Sequence, residues 1–414
     1  MKWSMSKPEF KTDLFRLVDV LPTLRSEEAI LSHVSLYLKD SAKDLNPILA
    51  WLLDTKPETL MGSLVRFGVN TGVTNMASQF IAGATPEDAL PKLKKIRAKK
   101  LAFTVDLLGE YSVSEVEALE YLKRYEDCLE VFGREIHKWD ESSEIIEDHR
   151  GEYSPVCISV KLSALYSQCS VLNFKRSVSV LSERLAMITS LAKKVDATIY
   201  VDAEDCANNP VIYESFKRVF SSQEFKHFHF PGIVLQAYAK GSEDIADLLL
   251  EFSRSRGSPI AIRLVKGAYW DHETVMATQY GLPSPLFAKK ESSDANYEKL
   301  SRKLLDNIEL VMPAFGSHNI RSISHACQYA KEKNIPNTKF ELQMLYGMAD
   351  PIAEAFKKES YLVRLYVPLG DLVPGMGYLV RRLLENTSNE SFLRHTFFDA
   401  HAVKELLKKP AFAG

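Results

Sequence analysis

From about residue 100 to residue 368 the chain alternates two patterns. Short apolar runs of strand length are each followed by a longer segment, most of them with apolar positions at helical spacing. The runs are LAFTVDLLG (101–109), VCISVKLS (156–163), TIYVDAED (198–205), GIVLQAY (232–238), PIAIRLVKG (259–267), PAFGSHN (313–319), KFELQML (339–345) and LVRLYVP (362–368). EVEALEYLKRYEDCLEVFGREI and SVSVLSERLAMITSLAKKV are typical of the segments between them. Strands alternating with helices predict a parallel α/β sheet, and eight such units predict a closed (β/α)8 barrel of the TIM type. Gly316 interrupts the sixth run, and an open doubly wound sheet is the competing topology.

Residues 1–98 read as a helical arm. LFRLVDVLPTL, EEAILSHVSLYLKD and LVRFGVNTGVTNMASQFIAG carry helix-like spacing broken by Pro22, Pro47 and Pro57. TPEDALPKLKKIRAKK opens on a cap-like Thr85 and Pro86 and runs from acidic to basic, the direction a helix dipole favours. At the other end, LVRLYVPLGDLVPGMGYLVRRLLEN (362–386) reads as a strand, a turn carrying Gly370 and Asp371, and a helix opened by Pro374. Tyr378, Arg381, Arg382 and Glu385 then share one helical face. That face is either a solvated stripe or an anion site, since paired guanidinium forks suit a carboxylate. The expected division is an arm at 1–98, a barrel at 99–395 and a tail at 396–414.

The composition is that of an ordinary soluble protein, 46% hydrophobic and 26% charged over 414 residues. A formal charge of −2 leaves no electrostatic footprint for nucleic acid. The five cysteines are scattered, with no C-x-x-C pair, which fits a reducing compartment. No apolar run approaches the roughly 18 residues of a membrane span, and MKWSMSKPEFKTDLF has no signal-peptide core. The chain reads as cytoplasmic, with peripheral membrane contact left open.

In a barrel, chemistry collects at the C-terminal ends of the strands. Here those ends carry Lys161, Asp202, Glu204, Gln236, Arg263, Lys266, Ser317, His318, Gln343 and Tyr366. Any one of them could be structural, but so many polar groups on one rim are costly to bury without a purpose. No hydrolase elbow or H-E-x-x-H is present, and among the ten histidines only His227 and His229 have ligand-like spacing, in an apolar stretch that suits loop or core histidines. No metal is expected. GMG (375–377) fails as a dinucleotide fingerprint because Val380 holds its third glycine position. Lys161 or Lys266 could form a Schiff base, so a class I aldolase is one reading. Arg263, Gln236 and the KGAYW segment suit a large planar cofactor better, with Tyr269 and Trp270 covering an aromatic face.

SVKLSAL, VDAED, VLQAY, RLVKGAYWD, GSHN, FELQMLYGM, RLYVPLG and YLVRRLLEN, in this order, closely resemble the proline dehydrogenase family. Its members are FAD-dependent enzymes that oxidise L-proline. FKTDLFRLVDVLPTL looks like the helical arm before the barrel of bifunctional PutA-type members. The resemblance implies a distorted (β/α)8 barrel with its last helix above the barrel. It implies that Arg381 and Arg382 clamp the proline carboxylate with Lys161 nearby. Tyr366, Tyr378 and Leu345 would then close on the ring. It makes Asp202 and Arg263 the catalytic pair, Asp202 organising the cations from the floor and Arg263 lying near flavin N5. The cofactor set it implies is Asp202, Ala203, Gln236, Arg263, Lys266, Gly267, Ala268, Tyr269, Trp270, Lys290, Ser317, His318, Gln343 and Glu385, with Glu110 as a gate that pairs with Arg381.

The sequence departs from the family at Phe287-Ala288-Lys289-Lys290, where Ala288 offers no hydroxyl, and at Ser317, which replaces a more usual Thr. Hydroxyproline-oxidising relatives tend to lose the bulk that Tyr366 keeps, so the resemblance implies proline as substrate. The implied reaction is hydride transfer from proline C5 to flavin N5, giving Δ1-pyrroline-5-carboxylate. Quinone at the inner face of the membrane would be the electron acceptor, and pairing or fusion with a pyrroline-5-carboxylate (aldehyde) dehydrogenase is implied as well.

Overall fold

The computed structural model describes residues 79–109, 111–139, 154–371 and 407–412, together with scattered helical positions between Asp13 and Tyr37. Eight strands, each overlapping its expected run, pair in parallel and in sequence order: β1 (Ala102–Leu107), β2 (Val156–Val160), β3 (Ala197–Val201), β4 (Gly232–Gln236), β5 (Ile260–Val265), β6 (Val311–Gly316), β7 (Glu341–Leu345) and β8 (Leu362–Leu369). β8 pairs with β1 from Ala102↔Arg364 to Leu107↔Leu369, which closes the barrel and eliminates the open sheet. Gly316 ends β6 rather than interrupting it.

Side chains alternate along each strand. Phe103, Val105, Ile158, Val160, Ile199, Ile233, Leu235, Ile262, Leu264, Leu342 and Val367 join the helices in one continuous core. The alternate positions face the interior, where Tyr200 packs with Cys157, Ala261, Met312 and Ala314. Deeper still, Arg364 and Glu341 form a buried ion pair at 2.9 Å, and the Tyr200 hydroxyl donates to Glu341 at 3.3 Å. Gly232 has no side chain because the Tyr200 ring fills that space, 2.2 Å from where a Cβ would stand.

Among the described residues between 79 and 371 the α-helices are α1 (Pro86–Ala98), α2 (Glu115–Ile136), α3 (Phe174–Lys194), α4 (Asn209–Phe220), α5 (Ser242–Arg256), α6 (Trp270–Gln279), α7 (Lys290–Leu305), α8 (Ile320–Glu332) and α9 (Asp350–Lys358). Thr85 and Asp88 make the reciprocal capping box of α1, with Pro86 in its first turn. Ala89, Leu93 and Ile96 sink the helix into the barrel core, although the sequence places it at the end of the arm. Ser114 caps α2, which buries Ala118, Tyr121, Leu122, Tyr125, Leu129, Phe132 and Ile136 along one face. No helix among the described residues is long and apolar enough to cross a membrane.

Candidate active site

The polar strand ends meet at the C-terminal mouth of the barrel, and one helix, α2, sets the first of them in place. Tyr121 of α2 donates its hydroxyl to the Leu108 carbonyl at 3.2 Å, just beyond β1. Tyr125, one turn on, accepts from the Lys161 backbone N–H at 3.1 Å, just beyond β2. Lys161 is therefore fixed by its backbone, and its ammonium reaches Asp106 of β1 in a buried ion pair. Asp106 is one residue that sequence reading missed. A lone carboxylate in the apolar run AFTVDL, on the same strand face as Thr104, was the available signal.

Asp202 follows β3 and ties the centre together. One oxygen accepts from Arg263 Nη1 at 2.7 Å, the other from the Tyr366 hydroxyl at 2.8 Å. Lys161 Nζ stands 3.9 Å from Asp202 and donates to the Tyr366 oxygen at 3.4 Å. Arg263 also donates to Ser159 Oγ at 3.1 Å, and its guanidinium lies between two rings, 4.2 Å from the centre of Tyr200 and 5.2 Å from that of Tyr366. Lys161, Asp202, Arg263 and Tyr366 thus come together, joined by Asp106, Ser159 and Tyr200, which the sequence did not single out.

Burial governs the protonation of this cluster. It pushes the Asp106 carboxyl up to about 6 against the pull of Lys161, and the Asp202 charge adds to the rise. The Tyr366 phenol is driven well above its ordinary value, by burial first and then by Asp106 and Asp202. Arg263 loses from burial but gains more from Asp202 and the flanking rings, so it stays a cation.

The remaining candidates form a shelf over β4 to β7. Gln236 donates to the Glu204 carbonyl at 2.8 Å and accepts from Asn209 at 3.0 Å, so its amide braces the loop after β3, which includes Ala203. Lys266 pairs with Asp294 at 2.5 Å, and Lys290 reaches the same carboxylate at 2.9 Å. Burial lowers the Lys266 ammonium to about 8. Gly267, Ala268 and Tyr269 lead into α6, where Trp270 donates its ring N–H to the Phe287 carbonyl at 3.0 Å. Ser317 accepts from the Asn319 N–H at 3.0 Å, and His318 Nε2 accepts from the Leu345 N–H at 2.9 Å. Gln343 donates to Glu341. Glu110, Tyr378, Arg381, Arg382 and Glu385 lie outside the described residues. His227 and His229 are exposed on a loop, and no group of His, Cys, Asp or Glu among the described residues could hold a metal.

A planar, amide-bearing cofactor fits what the rim offers. Arg263 Nε and Gln343 Oε1 are buried and have no hydrogen-bond partner among the described residues. One is a donor and the other an acceptor, the pairing that an isoalloxazine edge complements. Both candidate Schiff-base lysines are held in ion pairs, Lys161 by Asp106 and Lys266 by Asp294, which leaves the aldolase reading without support.

Known proteins resemble this chain over most of its length. The proline dehydrogenase family model matches residues 89–395, and a model of the proline utilization A N-terminal domain matches residues 1–80. The bifunctional protein PutA of Klebsiella aerogenes is 31% identical over 357 residues, 84% of this chain and 26% of the relative. Proline dehydrogenase 2 of Bacillus subtilis is 30% identical over 335 residues, 80% of this chain and 93% of the relative. The crystal structure of Bdellovibrio bacteriovorus PutA inactivated by N-propargylglycine superposes with a TM-score of 0.90 at 41% identity, covering 99% of this chain and 40% of that one. This chain spans about a quarter of the length of the curated PutA relatives it matches. With a closed parallel barrel, a buried polar cluster at its mouth and a family match over most of its length, the chain belongs to the proline dehydrogenase family.

Proposed function

We propose that this chain is a flavin-dependent proline dehydrogenase that oxidises L-proline to Δ1-pyrroline-5-carboxylate. The observation that carries the reading is the buried Lys161–Asp202–Arg263–Tyr366 network at the barrel mouth, in a member of this family. Lys161, with Arg381 and Arg382, would hold the substrate carboxylate. Tyr366, pinned by Asp202, would present its ring edge with Leu345 and Tyr378 to the pyrrolidine. Clamping one end of a small rigid substrate fixes its C5 in space, which replaces an entropic search with a set geometry. As a hydride leaves C5, the nitrogen lone pair closes the C=N bond, and Asp202 keeps Tyr366 and Arg263 oriented throughout.

FAD, when bound, supplies the two-electron acceptance for that hydride. Arg263, Gln343, Gln236, Asp202, Ala203, Lys266, Gly267, Ala268, Tyr269, Trp270, Lys290, Ser317, His318 and Glu385 would hold it. Quinone is the proposed electron acceptor, and the proposed setting is the cytoplasm at the inner face of the membrane. Pairing or fusion with a pyrroline-5-carboxylate dehydrogenase is proposed because relatives of this chain are named bifunctional. The proposed division keeps the arm at 1–98, the barrel at 99–395 and the tail at 396–414.

The purified protein should be yellow and should bleach on anaerobic addition of L-proline but not of trans-4-hydroxy-L-proline. A yellow protein that stays oxidised would retain the cofactor and remove the substrate from this reading. N-propargylglycine, the inactivator of the Bdellovibrio relative, should abolish proline turnover irreversibly. Arg381→Met and Arg382→Met should mainly raise KM for proline, with a smaller loss of kcat. Unchanged proline kinetics in both variants would take these arginines out of the site.

A further inference from the structure

Tyr238 stands just beyond β4, buried, and takes no part in the network around Arg263. It nonetheless reaches three segments of the cofactor shelf. Its backbone N–H donates to the Lys266 carbonyl at 2.8 Å, and its own carbonyl accepts from the Phe287 N–H at 2.9 Å. Its phenol donates to Glu273 Oε1 at 2.5 Å, on the first turn of α6. Glu273 is itself buried, only 7% exposed. The Tyr238 ring lies against Gly267, whose φ is +129°, and a Cβ on Gly267 would stand 2.5 Å from ring carbons. The Lys266–Trp270 turn, the start of α6 and the segment leading to Lys290 are therefore all referenced to one residue, the first two by its side chain and the last by its backbone. Trp270 ties the last two to each other through Phe287.

A phenol bonded to a buried carboxylate is a charge-assisted contact, stronger than a neutral one and costly to leave half made. It fixes the first turn of α6, and with it the Gly267 turn, far more firmly than the exposed Trp270 contact could do alone. We propose that Tyr238, through its hydrogen bond to Glu273, is the positioning residue of the flavin cradle, setting the Lys266–Trp270 turn against the Phe287–Lys290 segment. The inference rests on the flavin reading above and adds residues outside the contact set assigned there.

The test takes the full chain freed of flavin and titrates it with FAD, comparing wild type with Tyr238→Phe and Glu273→Gln. The readouts are the FAD Kd, followed by the visible spectrum of the bound flavin, and the Tm of the flavin-free protein. Tyr238→Phe keeps the ring against Gly267 but loses the hydroxyl, so FAD should bind about tenfold more weakly while the Tm falls by only a few degrees. Glu273→Gln keeps an acceptor and should fall between the two. A Kd within about twofold of wild type in both variants overturns the proposal. Weaker binding matched by a large fall in the flavin-free Tm also overturns it, since that marks general damage to the fold. Should Tyr238→Phe not fold, Glu273→Gln decides by the same pair of measurements. Wild type that takes up no FAD brings down the flavin reading first, and this inference with it.

Discussion

Asp106 shows how much one buried carboxylate can control. Its pKa is raised from 3.8 to about 6, so between these values the folded protein holds a proton that the unfolded chain has released. Proton binding that is tighter in the folded state makes this group's contribution to stability fall as pH rises through that window, and level off above it. Asp106→Asn should therefore gain in Tm relative to wild type from about pH 4 to about pH 6, with no further gain beyond. Two Tm–pH profiles that run parallel would mean that Asp106 titrates normally. Arg364 presents the complementary case. It pairs with Glu341 deep in the barrel, where Glu341 also receives Tyr200 and Gln343. Arg364→Met would strand that carboxylate in the interior, with an expected loss of about 3–5 kcal/mol in urea unfolding. The double variant Arg364→Met/Glu341→Leu should recover much of it, because the stranded charge is gone.

At the scale of elements, α1 and α2 show local chemistry serving the site at a distance. The capping box at Thr85 and Asp88 satisfies donors that the first turn of α1 leaves open. Thr85→Ala should lower stability by about 1 kcal/mol and Thr85→Ser should not, as read by thermal unfolding. Equal effects of both would show that the hydroxyl is not what holds this helix end. The second helix carries more: its Tyr121 and Tyr125 are core residues by burial, yet each ends in a hydroxyl that fixes a strand terminus. Lys161 is aimed at Asp106 because a helix on the outside of the barrel anchors its backbone.

In the molecule as a whole, the segment before α1 is laced to the end of β8 and the loop after β7. Ala82 N–H donates to the Pro368 carbonyl at 2.8 Å and Gly370 N–H to the Gly83 carbonyl at 2.9 Å, while Phe80 and Ile81 are buried. Gly347, in the loop after β7, makes room for this lacing: its φ is +76° and a Cβ there would lie 1.9 Å from the Gln79 carbonyl oxygen. Gly257 ends α5 with a similar φ of +69° but meets nothing within 4 Å. Gly347→Ala should therefore lower Tm distinctly more than Gly257→Ala, which carries only the left-handed backbone penalty. Equal losses would mean that the 79–83 segment gives way without cost.

The strands were legible because parallel strands buried on both faces write themselves as short apolar runs, and their count and spacing announce a barrel. Lys161, Asp202, Arg263 and Tyr366 could be singled out because charged and phenolic groups at the ends of such runs are conspicuous. The pairing of β8 with β1 was beyond the sequence, since residues some 260 positions apart meet only when the sheet curls shut. Asp106 and Ser159 joined the site, and Gln236 turned to bracing Asn209 and the Glu204 backbone, for the same reason: which polar atoms face one another is decided across strands. The sequence by itself determined the elements and the chemistry on the rim. Only the tertiary structure decided who pairs with whom, because hydrogen-bond partners inside a closed barrel are set by register and curvature, which no stretch of chain carries alone.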